Sequence, residues 1–173
     1  MDEIMKSLKR VALSIIALAA VLPSADRADA QSLQQQLVGT WTLVSNVVIR
    51  QDGVRIDQFG PSPRGVLLLS ADGHFATLNA RSDLPKLASG SRSKMTADEA
   101  QAIALGTLAY YGVYSVSDAD KVITVRIEGS TFANQIGSVQ KRVITSLTSD
   151  EMRFTNPAAT SGGQIELVWK RMK

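Results

Sequence analysis

The chain has 173 residues, a formal net charge of +3, one histidine (His74) and no cysteine. Disulfides, thiolate catalysis, cysteine-ligated zinc and multi-histidine metal centres are thereby excluded, and no D-x-D-x-D loop offers a carboxylate site; the expectation is no metal and no cofactor. The basic residues are scattered rather than grouped, which gives nucleic-acid binding no support and leaves only a mild preference for anionic ligands.

Lys6, Lys9 and Arg10 precede VALSIIALAAVL (11–22), followed by Ala28-Asp29-Ala30. A basic head, a short apolar middle and an A-x-A exit describe a secretory signal. The apolar run has 12 residues, too few to cross a hydrocarbon core of about 30 Å as a helix. No cysteine follows it, so no lipoprotein anchor is expected. Residues 1–30 are therefore expected to be cleaved, leaving 31–173 as one periplasmic or secreted domain of bacterial Sec type without a stable membrane span. That remainder is long enough for a single sizeable core.

The rest reads mostly as strands. WTLVSNVVIR (41–50) is rich in β-branched residues and alternates loosely. RGVLLLSADGHFATLNA (64–80) is two strands around Ala71-Asp72-Gly73, where glycine can take positive φ. RSDLPKLASGSRSKM (81–95) is polar, carries Pro85 and Gly90, and reads as a surface loop. Thr96 with Glu99 three residues on forms a capping box. Ala100, Ile103, Ala104, Thr107, Leu108 and Tyr111 then share one helical face, so one loop-and-helix excursion (about 96–111) is expected to cover an end of the sheet structure. YGVYSVSDADKVITVRIE (111–128) and KRVITSLTSDEMRFTN (141–156) are two further hairpins, and QIELVWKRM (164–172) closes the chain. Turn signals recurring every 8 to 20 residues predict an all-β antiparallel barrel or sandwich.

Gly39 and Trp41 in LVGTWTLVS, with Arg171 just after Leu167-Val168-Trp169, resemble the Gly-x-Trp signature of lipocalins. There the tryptophan closes the barrel base and a basic side chain packs across its ring. The blocks LVGTWTLVS, FGPSPRGVLLLSADGHF, LAYYGVYSV, IEGSTFANQIGSVQKR and ELVWKR, in this order from Leu37 to Arg171, resemble the bacterial and fungal lipocalin-like domain family. The EGSxFxNxxG block, with Glu128, Gly129, Ser130, Phe132, Asn134 and Gly137, is the most particular of them. The resemblance implies a calycin-type antiparallel β-barrel with an internal cavity, and structural roles for Gly39, Trp41 and Arg171. Members often carry histidines just ahead of the EGS block and a proline and an aromatic within it. This chain has Val125 and Arg126, then Ala133 and Gln135, so a histidine proton-transfer role does not carry over.

Period-two alternation puts Val122, Thr124, Arg126 and Glu128 on one strand face and Ile123, Val125 and Ile127 on the other. Gln140 and Arg142 share a face of the next strand. Alternation alone sends these polar faces to solvent. In the other arrangement Arg126, Glu128, Gln140 and Arg142 form a paired cluster at the barrel mouth, supported by the coincidence of Glu128, Gln140 and Arg142 with positions the family pattern specifies. Two arginines and one glutamate would leave a positive surplus suited to a carboxylate. Asn134 joins the candidates through the family block. Tyr110, Tyr111 and Tyr114 suit core and rim packing, with Tyr114 kept as a candidate ligand hydrogen-bonder. His74, after a hairpin turn, reads as a surface histidine, and Asp98 and Glu99 as helix-start charges.

Two functions follow. One is an exported binder of a small, mainly apolar and possibly anionic molecule. The other is a cofactor-independent cyclase, isomerase or dehydratase using Glu128 or a tyrosine as acid or base. An acid/base pair in opposed environments inside the cavity would separate them.

Overall fold

A computed structural model of the chain describes residues 31–158 and 163–173. The signal sequence expected at 1–30 lies outside them. A five-residue helix, α1 (Leu33–Leu37), leads into β1 (Gly39–Ile49), β2 (Arg55–Asp57), β3 (Arg64–Leu69) and β4 (His74–Ala80). Helix α2 (Ala97–Gly106) follows, and then β5 (Thr107–Ser117), β6 (Val122–Ser130), β7 (Val139–Leu147), β8 (Glu151–Asn156) and β9 (Gln164–Arg171).

Every pairing is antiparallel, in the order β1-β3-β4-β5-β6-β7-β8-β9. β9 then returns to β1, from Trp41 opposite Arg171 to Ile49 opposite Gln164. An eight-strand barrel with no open seam results, which removes the edge hazard of a long sheet. The short β2 lies beside the far half of β1, at Val47–Ile49.

One face of each strand turns inward and is mainly apolar: Trp41 and Leu43, Leu67 and Leu69, Ile123, Val125 and Ile127, Met152 and Phe154, Leu167 and Trp169. Two irregularities interrupt this pattern. In β1 the register shifts between Leu43 and Ser45, leaving Val44 exposed and turning Asn46 inward. Between β5 and β6 the register shifts at Tyr111/Gly112. A Cβ on Gly112 would stand 2.0 Å from the Arg126 carbonyl oxygen, so only glycine allows the strands to meet there.

The two ends differ. The short turns after β3, β5 and β7 gather at the end where β1 begins. There α1 lies across the barrel: Leu37 is buried, its carbonyl accepts the Trp41 Nε1–H at 2.9 Å, and the Leu33 amide donates to Asp118 at 3.3 Å. A side-chain and backbone capping box between Ser32 and Gln35 starts this helix. The longer connections 58–63, 81–106 and 131–138 stand at the opposite end. α2 is opened by the Thr96/Glu99 capping box and stops at Gly106, not at 111. Residues 107–111 are strand, because Thr107–Tyr111 pair with Ala76–Ala80 of β4. Apart from Gly106, every residue of α2 is partly or fully exposed. The excursion stands at this end, and no α2 side chain lines the interior chambers described next.

Candidate functional site

Inside the barrel lie two adjoining chambers of about 30 Å³ each, room for about two waters apiece. The one nearer the closed end is apolar, lined by Leu67, Leu69, Phe75, Ile123, Phe154 and Trp169. The one nearer the long loops is lined by carboxamides: Asn46, Gln58, Asn79, Gln135, Gln140 and Asn156. Arg142 and Tyr110 border both. Tyr110 is held edge-on to Phe75, with ring centroids 5.9 Å apart.

Arg142 is the unusual group. Its position on β7, in phase with Ile144, turns it inward, and it is 6% exposed. One terminal nitrogen donates to Gln140 Oε1 at 2.7 Å and the other to the Lys141 carbonyl at 3.1 Å. A guanidinium has five N–H donors, and among the described residues no carboxylate lies within salt-bridge distance of this one. A buried charge without a counter-charge costs several kcal/mol. Around it, the side-chain oxygens of Asn46 and Asn79 are buried with no hydrogen-bond partner among the described residues. The buried polar residues of the barrel, Asn46, Thr77, Asn79, Gln135, Arg142 and Asn156, all border the two chambers. Polar groups concentrated this way, and left under-paired, mark a place for a ligand rather than a stability device.

The four-residue cluster considered from sequence is not assembled. Arg126 and Glu128 lie on the outer face, 58% and 36% exposed, in an ion pair of 2.9 Å. The physical reason is the alternation itself: Ile123, Val125 and Ile127 take the inward positions of β6. Gln140 and Arg142 do face the interior. Asn134 is exposed on a 3-10 turn, Ala133–Gln135, and its neighbour Gln135 turns inward instead, its amide donating to Ser130 Oγ at 2.6 Å. Tyr114 sits at the closed end, where its hydroxyl donates to the Ser70 carbonyl at 2.7 Å. Burial, and then the nearby Asp72 charge, pushes its pKa above the usual tyrosine value. It is a packing residue.

Sequence reasoning missed Asn46, Gln58, Asn79, Gln135 and Asn156. Two could have been found: Asn79 follows Phe75 and Thr77 at period two, and Asn156 follows Met152 and Phe154. Asn46 was concealed by the β1 bulge, and Gln58 and Gln135 come from loops.

At the barrel base the Arg171 guanidinium lies over the Trp41 ring, 4.0 Å from its centroid. Its nitrogens donate to the carbonyls of Ser149, Val38 and Gln36 at 2.6, 2.8 and 2.5 Å. Gly39 has φ +140°, and a Cβ there would stand 2.6 Å from Arg171 Nη1. Among the described residues, no group of three or more His, Cys, Asp or Glu side chains is arranged to hold a metal ion.

Among solved structures, the chain is similar to a lipocalin-like protein from Bacteroides uniformis, at 13% identity and a TM-score of 0.43 over 79% of this chain and 99% of that one. It is also similar to a redesigned β-barrel, at 11% identity and TM-score 0.44 over 84% and 98% of the two chains. A de novo designed fluorescence-activating β-barrel follows at 13% identity and TM-score 0.39, covering 80% and 96%. A comparison with functionally curated proteins found no match. The sequence model of the lipocalin-like domain matches residues 38–172, which run from just before β1 to just after β9. The chain belongs to the lipocalin-like domain family.

Proposed function

We propose that this protein is an exported binder of a small organic anion, with Arg142 as the counter-charge. The observation that carries the proposal is the buried guanidinium of Arg142, which faces a carboxamide-lined chamber and lacks a carboxylate partner among the described residues. A bound carboxylate would supply charge-assisted hydrogen bonds to the free N–H groups, the strongest class available to such a site. The carboxamides would read the polar substituents next to it.

Acid–base catalysis has less support. Among the described residues lining either chamber, Arg142 and Tyr110 are the titratable ones, and Glu128 stands outside the barrel. The opposed acid/base pair that such chemistry requires is missing from that lining. Export rests on the sequence of residues 1–30, and N-terminal sequencing of the protein from its own host should begin near Gln31; full-length chain held in the membrane would contradict it.

Native mass spectrometry of protein purified from its own host tests the binding function. An added mass that extraction identifies as an organic anion, and that disappears in Arg142→Met, is the expected result. A bound neutral or cationic molecule retained by Arg142→Met would contradict it.

A further inference from the structure

The two interior chambers have room for a carboxylate head but not for an alkyl or aryl body. Outside them, at the end with the long loops, lies an open groove of about 470 Å³. Its apolar walls come from three separate segments: Phe59 from the β2–β3 connection, Leu105 and Leu108 from the end of α2 and the start of β5, and Phe132 from the β6–β7 connection. Leu105 is 74% exposed and Phe132 43%, whereas Phe59 is buried at 2%. Among the described residues, no lysine, arginine, aspartate or glutamate lines the groove. Large apolar side chains left facing water around a concavity mark a binding surface more than a packing one. A lining without charge suits an aliphatic chain better than a charged peptide.

The groove and the interior are neighbours. Gln58 and Leu108 line both the groove and the carboxamide chamber that holds Arg142. Gln58 is seated by its backbone N–H, which donates to the Asn46 carbonyl at 3.0 Å, and its side chain stands between the two spaces. Building on the anion-binding function above, we propose that the groove is an outer subsite for the aliphatic tail of an amphipathic carboxylate. The head enters past Gln58 and Leu108 to Arg142, and the tail stays outside against Leu105, Leu108 and Phe132. Charge complementarity sets the orientation, because the buried Arg142 guanidinium has no carboxylate partner among the described residues and the groove walls outside are apolar and uncharged.

Protein-observed NMR titrations with acetate, butyrate, hexanoate and octanoate test this, using wild type, Arg142→Met and the surface double variant Leu105→Ser/Phe132→Ser. In wild type the affinity should rise from butyrate to octanoate by about two- to fourfold per methylene, the upper figure being full burial of each CH₂. That gain should vanish in Leu105→Ser/Phe132→Ser, and octyltrimethylammonium should not compete with octanoate. Acetate binding that depends on Arg142 with no gain on lengthening the chain would overturn the outer subsite alone. Acetate and octanoate binding unaffected by Arg142→Met would overturn the anion-binding function, and the subsite with it. Wild-type self-association abolished by Leu105→Ser/Phe132→Ser would also overturn the subsite, assigning the groove to a second copy of the chain.

Discussion

Arg171 and Trp41 close the barrel as one unit: the guanidinium stacks on the buried indole at 4.0 Å while its nitrogens fasten α1 and the β7–β8 turn through three carbonyls. The indole N–H in turn holds the last carbonyl of α1. Base closure is therefore a network in which each partner positions the other.

Trp41→Ala should destabilise the protein by about 3–5 kcal/mol, the usual cost of deleting a buried tryptophan. Arg171→Ala should cost less, and the double variant should fall short of the sum by about 0.5–3 kcal/mol. Denaturant unfolding of the four proteins measures this; strictly additive effects would mean the stacking has no energetic content. Gly39→Ala should act through the same contact, since its methyl would displace Arg171.

The outward ion pair behaves differently. Arg126→Ala and Glu128→Gln should each change stability by no more than about 1 kcal/mol, the range for solvated pairs, and should leave ligand binding untouched. A large loss in either measurement would place these side chains in the site after all.

Glu99 gives a pH dependence whose sign is fixed. Its carboxylate accepts the amides of Ala88 at 2.8 Å and Thr96 at 2.9 Å, and these backbone hydrogen bonds hold its pKa below the usual 4.5. A depressed folded-state pKa means the contribution is fully present above the unfolded value and is lost as pH falls through the folded one. Hydrogen exchange at Ala88 should thus be slow near neutrality and accelerate, relative to the intrinsic rate, as pH falls below the ordinary glutamate range. Glu99→Gln should exchange faster at neutral pH and show no such step.

Much of the barrel was legible because its hairpins announce themselves. Ala71-Asp72-Gly73, Ser117 to Asp120 and Ser149-Asp150-Glu151 each separate runs of β-branched residues, and the structure turns the chain at each. The end of α2 was not legible: Thr107, Leu108 and Tyr111 continue a helical face, and only pairing with β4 makes them strand. α1 is too short to show periodicity, and β2 has no buried residue to reveal it.

The site was legible in half. Gln140 and Arg142 lie in phase with buried Ile144, a cue passed over when alternation alone sent them to solvent, whereas the isoleucines of β6 point Arg126 and Glu128 out. Loop-borne Gln58 and Gln135, and Asn46 behind its bulge, needed tertiary structure, because neither loops nor bulges keep a strand's phase.

On the proposed binding function, Arg142 is a buried cation kept for a ligand at the expense of the empty protein. Arg142→Met fills the same space without the charge. Measured by thermal or denaturant unfolding in the absence of ligand, it should be as stable as wild type or more stable by about 1–3 kcal/mol, because an unneutralised buried charge has been removed. The same variant should lose carboxylate binding. A variant that is destabilised by several kcal/mol, or that binds carboxylates as wild type does, would contradict the account.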